Sequence, residues 1–397
     1  MFQRESRMSW GVAIFAVVAI CAATASAKTT ALGTCRPDLA SFDSFSDAIP
    51  GTPAGGTILV CPGTYAEQII ITKDLTIAGT QSGNSGLPVI VPPPGGLLQN
   101  AVGYNVSSGF LQNRGLAAQI IVNPGVTVTI RNLALDASNN NISSCGPVPV
   151  GIYFADSSGS VTHVAFKNQS APCSFDGFAG VLNYPQGDGI FVQSDGSLPA
   201  VVSVLNSSFH NPGWMAIHAD GAGANITIKN NTAVGPGVTY GNGILVEYGA
   251  GAAAISNNSE SNALVNGQST GYWGILLNYC AGNSLITANT LSNTQVGIYA
   301  NCNTNTITYN WIFNSQIDGI DVCGSGSTVQ NNTINDSSQA GVNLVQGCAA
   351  RSNLVSNNTI NGACTAILSG TDAVGNTVGP NTPFNTKFLQ LTGGLCN

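Results

Sequence analysis

Short runs in which apolar and variable residues alternate recur along the chain from residue 151 onward. Each run begins with Gly or Ala followed by Ile or Val, and a second, shorter strand-like run follows after a polar turn. The alternation has the period of a β-strand, and no segment here has the i, i+3, i+4, i+7 spacing of an amphipathic helix. A repeat of about 20–50 residues is typical of solenoids, so we expect stacked coils. The runs start at residues 151, 189, 216, 243, 274, 297, 319 and 341.

The second strand of each coil usually ends in asparagine, as in residues 226–231, 254–258 and 328–332. Asn tolerates the left-handed backbone that a sharp turn requires, and stacked side-chain amides can hydrogen-bond from coil to coil. The L-x-x-L-x-L spacing of leucine-rich repeats is absent. Short strands rich in Ile, Val and Leu between such turns therefore favour a parallel β-helix.

Residues 57–79 read TILVCPGTYAEQIIITKDLTIAG, which resembles the opening coils of pectin methylesterases and related β-helix proteins. With the repeats, nearly all of residues 28–397 resembles the right-handed parallel β-helix family, the pectin-lyase-like superfold. The resemblance implies an all-β, single-stranded right-handed parallel β-helix of about ten coils with an N-terminal cap. The catalytic motifs of pectin methylesterases, polygalacturonases and alginate epimerases are missing, so no catalytic residue carries over, and fold alone does not define function.

One domain is expected. Its parts are a cap with the first coils (28–79), a loop-rich excursion (80–118), the main coils (119–378) and a C-terminal tail or cap (379–397). Residues 41–49 have helical spacing and are expected to cover the open end of the solenoid.

The N-terminus carries the features of a secretory signal peptide over residues 1–27: early arginines, a short apolar run and an A-x-A site. No later segment is apolar and long enough to span a membrane. Only 7% of the chain is charged and the net charge is −7, with no basic patch. This argues against nucleic-acid binding, which needs Lys and Arg to neutralise phosphates. We expect a secreted monomer, extracellular or periplasmic.

Of the 11 cysteines, ten remain after residue 27, an even number that is typical of disulfides in an exported protein. Coils about 4.8 Å apart place equivalent cysteines of adjacent coils within disulfide distance. The alternative Cys302–Cys323 competes with the stacked pairs. The favoured pairs are Cys280–Cys302, Cys323–Cys348, Cys145–Cys173, Cys35–Cys61 and Cys364–Cys396.

Side chains alternate along a strand, so the apolar residues one and three positions after the repeat Gly are expected to face the interior. The positions at −1, +2 and +4 then face outward. Over four successive coils these outward positions carry acidic, histidine and aromatic residues: Asp188, His218, Asp220, Glu247 and Trp273.

Long segments enter the same coils and carry Tyr184, Tyr240 and Tyr272. Aromatic walls beside a rigid sheet suit stacking on sugar rings, so we predict a cleft over residues 188–278. The three tyrosines, Asp188 and Trp273 are its expected substrate-binding residues.

Asp220 and Glu247 occupy equivalent positions one coil apart, about 5 Å, which is the carboxyl separation of retaining glycosidases. We predict them as catalytic residues, with His218 as an acid or base. Two readings compete. A calcium ion between the carboxylates would relieve their repulsion, or the carboxylates are simply solvated.

These observations predict an enzyme that cleaves an extracellular polysaccharide by hydrolysis or by elimination. The scarcity of basic residues favours a neutral glycan as its substrate. The alternative is a non-catalytic glycan-binding or structural cell-surface β-solenoid. A lyase would have to use one of the sparse basic residues, such as Arg131, Lys167 or Lys229. Asp318 and Asp321 form a second outward pair, interpreted as turn and solubility residues.

Overall fold

The computed structural model describes residues 28–81, 86–103, 113–143, 145–175, 182–235, 241–262, 272–348 and 350–393. The predicted signal peptide, 1–27, lies outside these residues. One short helix and many short strands make up the regular structure.

In chain order the first strands are β1 (Thr29–Leu32), β2 (Ser41–Phe42), β3 (Gly56–Val60), β4 (Thr64–Ala66), β5 (Ile69–Ile71), β6 (Leu75–Gly79), β7 (Val89–Val91), β8 (Ala101–Val102), β9 (Gly115–Val122), β10 (Thr127–Asp136), β11 (Val148–Ala155), β12 (Ser158–Lys167), β13 (Ala171–Phe175) and β14 (Leu182–Gln186). The central strands are β15 (Asp188–Gln193), β16 (Ala200–Leu205), β17 (Ser208–His210), β18 (Met215–Asp220), β19 (Ala224–Lys229), β20 (Thr232–Val234), β21 (Gly241–Glu247), β22 (Ala254–Ser256), β23 (Ser259–Ser261), β24 (Tyr272–Asn278), β25 (Leu285–Thr287) and β26 (Thr290–Ser292). The last strands are β27 (Val296–Asn301), β28 (Thr306–Thr308), β29 (Trp311–Phe313), β30 (Asp318–Val322), β31 (Thr328–Gln330), β32 (Thr333–Asn335), β33 (Ala340–Leu344), β34 (Leu354–Ser356), β35 (Thr359–Asn361), β36 (Thr365–Ser369), β37 (Thr377–Val378), β38 (Thr382–Phe384) and β39 (Phe388–Thr392).

The strands form two long parallel sheets that run the length of the solenoid. In the described residues the front sheet stacks twelve strands in chain order: β5, β9, β11, β15, β18, β21, β24, β27, β30, β33, β36 and β39. The back sheet contains 24 strands. Strands β13 and β14 form a separate antiparallel hairpin. This architecture confirms the predicted right-handed parallel β-helix, with about twelve coils where about ten were expected.

The interior of the solenoid is one continuous apolar core. Ile190, Ile217 and Ile244 stack in register on adjacent front strands, and each is at most 1% exposed. These are the residues that follow the repeat Gly, so the predicted alternation of inward and outward positions is confirmed for these strands.

The outward side chains of the same strands form clusters of their own. Tyr153 and Phe191 belong to one cluster and Leu245 and Leu276 to another, and Trp214 packs against both. The outer face of the front sheet is therefore apolar and covered over its central coils, which the alternation alone does not reveal.

The single α-helix in the described residues, α1 (Phe45–Gly51), begins later than the helical spacing of 41–49 predicts. Ser44 caps it by accepting a hydrogen bond from the Asp47 amide, and Glu67 accepts from the first helical amides. Phe45 and Ile49 face the core, which places the helix over the first coils. None of the helical structure described here has the length and apolarity that crossing a membrane requires.

At the turns of the back sheet, the two residues of an Asn-Asn pair have different roles. The first residue of the pair, such as Asn230 or Asn331, adopts a positive φ of 57° or 58°. The second, such as Asn258, is buried and donates through Nδ2 to the Oδ1 of its counterpart Asn289 at 2.9 Å. The ladder runs through six buried residues and ends at the half-buried Asn381; the buried members are Asn231, Asn258, Asn289, Asn310, Asn332 and Asn358.

Four disulfides join residues of neighbouring coils, with Cα atoms 4.6–5.6 Å apart. They are four of the five favoured pairs, and the competing Cys302–Cys323 bridge is not formed. Cys364 is also in a disulfide, while its predicted partner, Cys396, lies outside the described residues. The bridges are Cys35–Cys61, Cys145–Cys173, Cys280–Cys302 and Cys323–Cys348.

The regular coils extend further in both directions than the predicted boundaries. Strands β38 and β39 pair in parallel with β35 and β36, so the segment predicted as a C-terminal tail continues both sheets. The predicted excursion 80–118 contributes β7, β8 and the first half of β9 to the sheets.

Candidate active site

Five polar residues lie in one row on the outer face of the front sheet, at the carboxyl ends of successive strands. Gln193 is the register partner of Asp220, and Asp220 is the register partner of Glu247. Asn278 and Asn301 continue the row over the next two coils. We call this row, from Gln193 to Asn301, the polar row. The predicted one-coil spacing of the two carboxyls follows directly from the parallel register.

The two acidic residues of the polar row are fully buried, as are Asp188 and His218 beside them. Asp188, His218, Asp220 and Glu247 each have 0% of their surface exposed. The reading of these carboxylates as solvated surface groups is therefore wrong, because the outward face of the sheet is covered at these coils. A buried carboxylate without compensation is costly, so its partners decide what the cluster can do.

His218 bridges two carboxylates. Its Nδ1 lies 3.1 Å from Oδ2 of Asp188, and its Nε2 lies 3.1 Å from Oε1 of Glu247. Burial lowers the pKa of His218, but its hydrogen bonds to Asp188 and Glu247 outweigh this and raise that pKa to about 10. The ring is thus an imidazolium at neutral pH, donating from both nitrogens. Phe191 stacks on it with ring centroids 4.6 Å apart, which fixes the plane of the ring.

Asp220 is held differently from Glu247. Its Oδ2 accepts a hydrogen bond of 3.1 Å from Nε2 of Gln193, while Oδ1 has no partner. The pKa of Asp220 is raised to about 7, because burial and the neighbouring Glu247 carboxylate together outweigh the lowering effect of His218. One carboxyl of the pair is therefore ion-paired with histidine, and the other is poised to hold or release a proton near neutrality.

Two residues of this site were missed by sequence reasoning. Gln193 links Asp220 to the hydroxyl of Tyr153, which donates to Gln193 Oε1 at 3.0 Å. Arg114 donates to Oε1 of Gln186 at 2.9 Å, and its charge partly offsets the burial that raises the pKa of Asp188. Gln193 occupies an outward position of the repeat, which could have identified it. Arg114 lies before the regular repeats and carries no such signal.

The predicted substrate-binding residues do not gather on one exposed wall. Asp188 is a buried partner of His218, and Trp273 is half-buried beside the outer cluster of Leu245 and Leu276. Tyr272 is only 1% exposed, and its hydroxyl has no partner. Tyr240 and the side chain of Tyr184 lie outside what the structure describes. At the acidic residues of the predicted cleft over 188–278, the face of the sheet is therefore covered rather than open to solvent.

The second outward pair also differs from its interpretation as turn and solubility residues. Asp318 and Asp321 are only 2% and 7% exposed, so they cannot serve solubility. Burial raises the pKa of both carboxyls, and for Asp321 the nearby Asp318 raises it further. Asp318 accepts hydrogen bonds from the Ala340 amide and the Asn343 side chain. Both carboxyls are therefore buried within the packing of the C-terminal coils.

His218, Asp220 and Glu247 each offer one ligand atom within 4.8 Å of the others. Calcium binds six to eight oxygens, whereas this set provides two carboxyls and a ring nitrogen that already binds a carboxylate. The donors present therefore do not fit calcium. They fit a hydrogen-bonded ion pair beside a carboxyl with a raised pKa.

A surface groove lies away from this cluster, with a volume of about 450 Å³. The proline-rich segment 92–96 forms one side, and Asp136, Ser138 and Asn139 form the other. None of the buried acidic residues lines it, so the groove and the candidate site are separate features.

Residues 120–327 and 237–382 match the model of the right-handed β-helix region, so the chain belongs to this family. No curated protein is significantly similar in sequence.

Solved structures share the fold at low identity. The catalytic domain of a GH87 α-1,3-glucanase in complex with tetrasaccharides is 12% identical, with a TM-score of 0.61 over 93% of this chain and 66% of that one. GH136 lacto-N-biosidase from Eubacterium ramulus is 13% identical, with a TM-score of 0.57 over 90% of this chain and 67% of that one. PfbA, a surface adhesin of Streptococcus pneumoniae, is 14% identical, with a TM-score of 0.50 over 87% of each chain. At these identities the likeness shows the β-helix fold, which serves both enzymes and an adhesin.

Proposed function

We propose that this protein is an exported glycoside hydrolase that cleaves a neutral polysaccharide with retention of configuration. Asp220 is its acid and base, Glu247 its nucleophile, and His218 the residue that orients Glu247. The observation that carries the proposal is the unequal environment of two carboxyls one coil apart. Asp220 accepts a hydrogen bond from a neutral amide, whereas Glu247 lies against the His218 ring, and unequal environments give two carboxyls different roles.

The spacing supports retention. The ligand atoms of Asp220 and Glu247 lie within 4.8 Å of each other. Retaining glycosidases hold their carboxyls about 5–5.5 Å apart, and inverting ones about 6.5–9.5 Å, because the latter must fit a water between them. A pair this close leaves room for direct attack on the sugar.

The chemical steps follow from the two environments. Asp220, protonated below about pH 7, donates its proton to the glycosidic oxygen as the bond to the anomeric carbon breaks. Glu247 attacks that carbon and forms a glycosyl ester. Forming this ester removes the negative charge of Glu247 and so ends its ion pair with His218. Water then attacks the same carbon, Asp220 takes the proton of the water, and Glu247 leaves as a carboxylate.

The charge of the site supports a neutral substrate. Three carboxyls surround one imidazolium, and among the residues that the structure describes Arg114 is the only other basic residue whose charge acts on Asp188. A uronide would bring further negative charge, which the cluster repels. The lysines and arginine considered for a lyase, Lys167, Lys229 and Arg131, lie on back-sheet strands. The site therefore favours hydrolysis over elimination.

The reacting groups are buried, so the proposal requires that the outer face opens when substrate binds. Trp214 is half-buried and packs against both outer clusters that flank the acidic residues. Disulfides between neighbouring coils support export to an oxidising compartment. The four bridges keep the coils stacked while the face opens.

Product release from a panel of neutral and acidic polysaccharides tests the proposal. New reducing ends without unsaturated products are expected from a neutral polysaccharide. Asp220→Asn and Glu247→Gln should each lower the rate at least 1,000-fold, because each removes a group that forms or breaks a bond. Glu260→Gln is the matched control: it removes a buried acid of the solenoid interior and should retain the rate. Unchanged rates in both site variants would refute the assignment.

The alternative is a non-catalytic surface β-solenoid that binds glycan. The likeness to the adhesin PfbA, which covers 87% of both chains, favours considering it. It predicts retention of polysaccharide without any product. Binding with no new reducing or unsaturated ends across the panel would therefore select this function.

A further inference from the structure

Two tyrosines of adjacent coils stack where the chain leaves the polar row. Tyr248 follows Glu247, and Tyr279 follows Asn278, so the two occupy equivalent turns. Their ring centroids are 6.0 Å apart with the planes 26° from parallel. Tyr279 is 64% exposed, which is unusual for a large aromatic side chain, and Tyr248 is half-buried. Tyr279 is therefore the solvent-exposed ring of a stacked pair that joins two coils.

The backbone at both tyrosines is in the left-handed region, with φ of 46° at Tyr248 and 53° at Tyr279. A bulky side chain is unfavourable there, and the equivalent turn of the preceding coil uses Gly221, with φ of 91°. Folding stability alone would favour Gly or Asn at these positions. The same conformation occurs at Tyr309 in a back-sheet turn, so it is the stacking of the pair beside the polar row that distinguishes Tyr248 and Tyr279.

The tyrosines belong to the same side of the molecule as the candidate active site. Tyr279 lies three residues after Leu276, whose register partner in the next coil is Tyr299. Tyr299 lies on the outer face of the front sheet, packed against the cluster of Leu245 and Leu276. In the polar row beside the tyrosines, Asn301 donates from Nδ2 to Oδ1 of Asn278 at 3.1 Å, and both amides are half-buried.

We propose that Tyr248 and Tyr279 form a platform on which one ring of a neutral glycan stacks next to Glu247. The apolar face of a pyranose ring suits an aromatic surface, while the half-exposed amides of Asn278 and Asn301 offer donors and acceptors to its hydroxyls. The inference rests on the proposed function for the identity of the bond that is cleaved. The platform itself requires only that the glycan binds.

Affinity electrophoresis tests the platform without requiring turnover. Gels contain mixed-linkage β-glucan, xylan, galactomannan, dextran or soluble starch, with polygalacturonate and alginate as acidic comparisons. At least one neutral polysaccharide should retard the wild-type protein. Tyr279→Gly should weaken that retardation about fivefold or more in apparent dissociation constant, because Tyr side chains at binding sites contribute strongly. Tyr279→Phe should retain it, since the ring remains.

Tyr309→Gly is the matched control. Tyr309 is also a tyrosine with a positive φ, of 58°, and is 65% exposed, but it lies in a back-sheet turn between β28 and β29. Its removal should leave retardation unchanged. Thermal unfolding separates binding from structure: Tyr279→Gly should unfold at an unchanged or higher temperature, because Gly accepts the left-handed backbone without strain.

The proposal is overturned if Tyr279→Gly is retarded like the wild type, if only the acidic polymers retard the protein, or if no neutral polymer does. Product release is scored on the same samples. Retardation that depends on Tyr279 without any product would refute the hydrolase and leave the platform standing. Product without dependence on Tyr279 would refute the platform and leave the hydrolase standing.

Discussion

Asp220 lies in the polar row between an amide on one side and a carboxyl on the other. The preceding coil supplies the amide of Gln193, which hydrogen-bonds one carboxyl oxygen. The following coil supplies Glu247, already engaged by His218. Burial therefore favours the neutral acid at Asp220, while Glu247 remains in an ion pair. The same residue type thus acquires a separate chemical role through stacking alone.

The acid role of Asp220 makes the rate depend on pH in one direction. Its pKa is raised by burial to about 7, so the proton donor is present below that pH and is lost as the pH rises through it. Initial rates on the polysaccharide that is cleaved, measured from pH 5 to pH 9, should fall about tenfold per pH unit above about 7. Glu260→Gln should show the same profile. A rate that climbs through pH 7 would contradict the acid role.

Sequence reasoning at the level of single residues succeeded where strand alternation and coil stacking suffice. It placed Asp220, Glu247 and His218 on one face, because the register of a parallel sheet repeats with every coil. It could not predict the burial of that face, which depends on what packs over it, nor Arg114, which lies 74 positions before Asp188 in the chain. It did not identify Tyr248 and Tyr279, because neither their left-handed backbone nor their stacking can be read from the sequence.

Strand β23 carries an acidic side chain into the apolar interior. Glu260 is 2% exposed, and its Oε2 has no hydrogen-bond partner. Its register partners are Ala233 in the preceding coil and Leu291 in the next. Small neighbours make room for it: a side chain at Gly243 would collide with the carboxylate. Burial raises the pKa of Glu260 well above its ordinary value.

Replacing this acid with the residue of the next coil should therefore stabilise the fold. Glu260→Leu removes an unpaired buried oxygen and adds apolar contacts, which should raise the free energy of unfolding by about 1–3 kcal/mol. Urea unfolding at pH 8 measures the change. The reverse swap, Leu291→Glu, should lower the same free energy. A loss of stability in Glu260→Leu would mean that the carboxyl has a structural partner.

The fold as a whole was more predictable than its site. The repeat spacing identified the coils because one inward Ile and one buried Asn recur in each, as at Ile217 and Asn258. It identified the disulfides because stacked cysteines meet in adjacent coils. The ends were less predictable, since β38 and β39 pair normally although their sequence has lost the repeat pattern.

Several buried groups of this molecule hold their protons more tightly in the folded than in the unfolded chain. The pKa of Asp220 is raised to about 7 by burial, and that of His218 to about 10 by its two carboxylate partners. A raised pKa contributes stability that is fully present below the unfolded value and is lost as pH rises through the folded value. The windows therefore run from about 3.9 to 7 for Asp220 and from about 6.5 to 10 for His218.

Carboxyls whose pKa is lowered in the folded chain affect the free energy of unfolding only at acidic pH. Hydrogen bonds from Ser197 and Ser138 outweigh burial and lower the pKa of Asp195 and Asp136, so their contribution is lost only as pH falls below about 4. With disulfides intact, the free energy of unfolding should therefore be at least about 2 kcal/mol higher at pH 5.5 than at pH 9.5.

His218→Gln should lower the free energy of unfolding by about 3 kcal/mol or more at pH 5.5, because it leaves two carboxyls without their cation. It should also flatten the decline above pH 6.5. Urea unfolding of both proteins across this range measures the slopes, and equal slopes would show that His218 does not hold its proton in the folded chain.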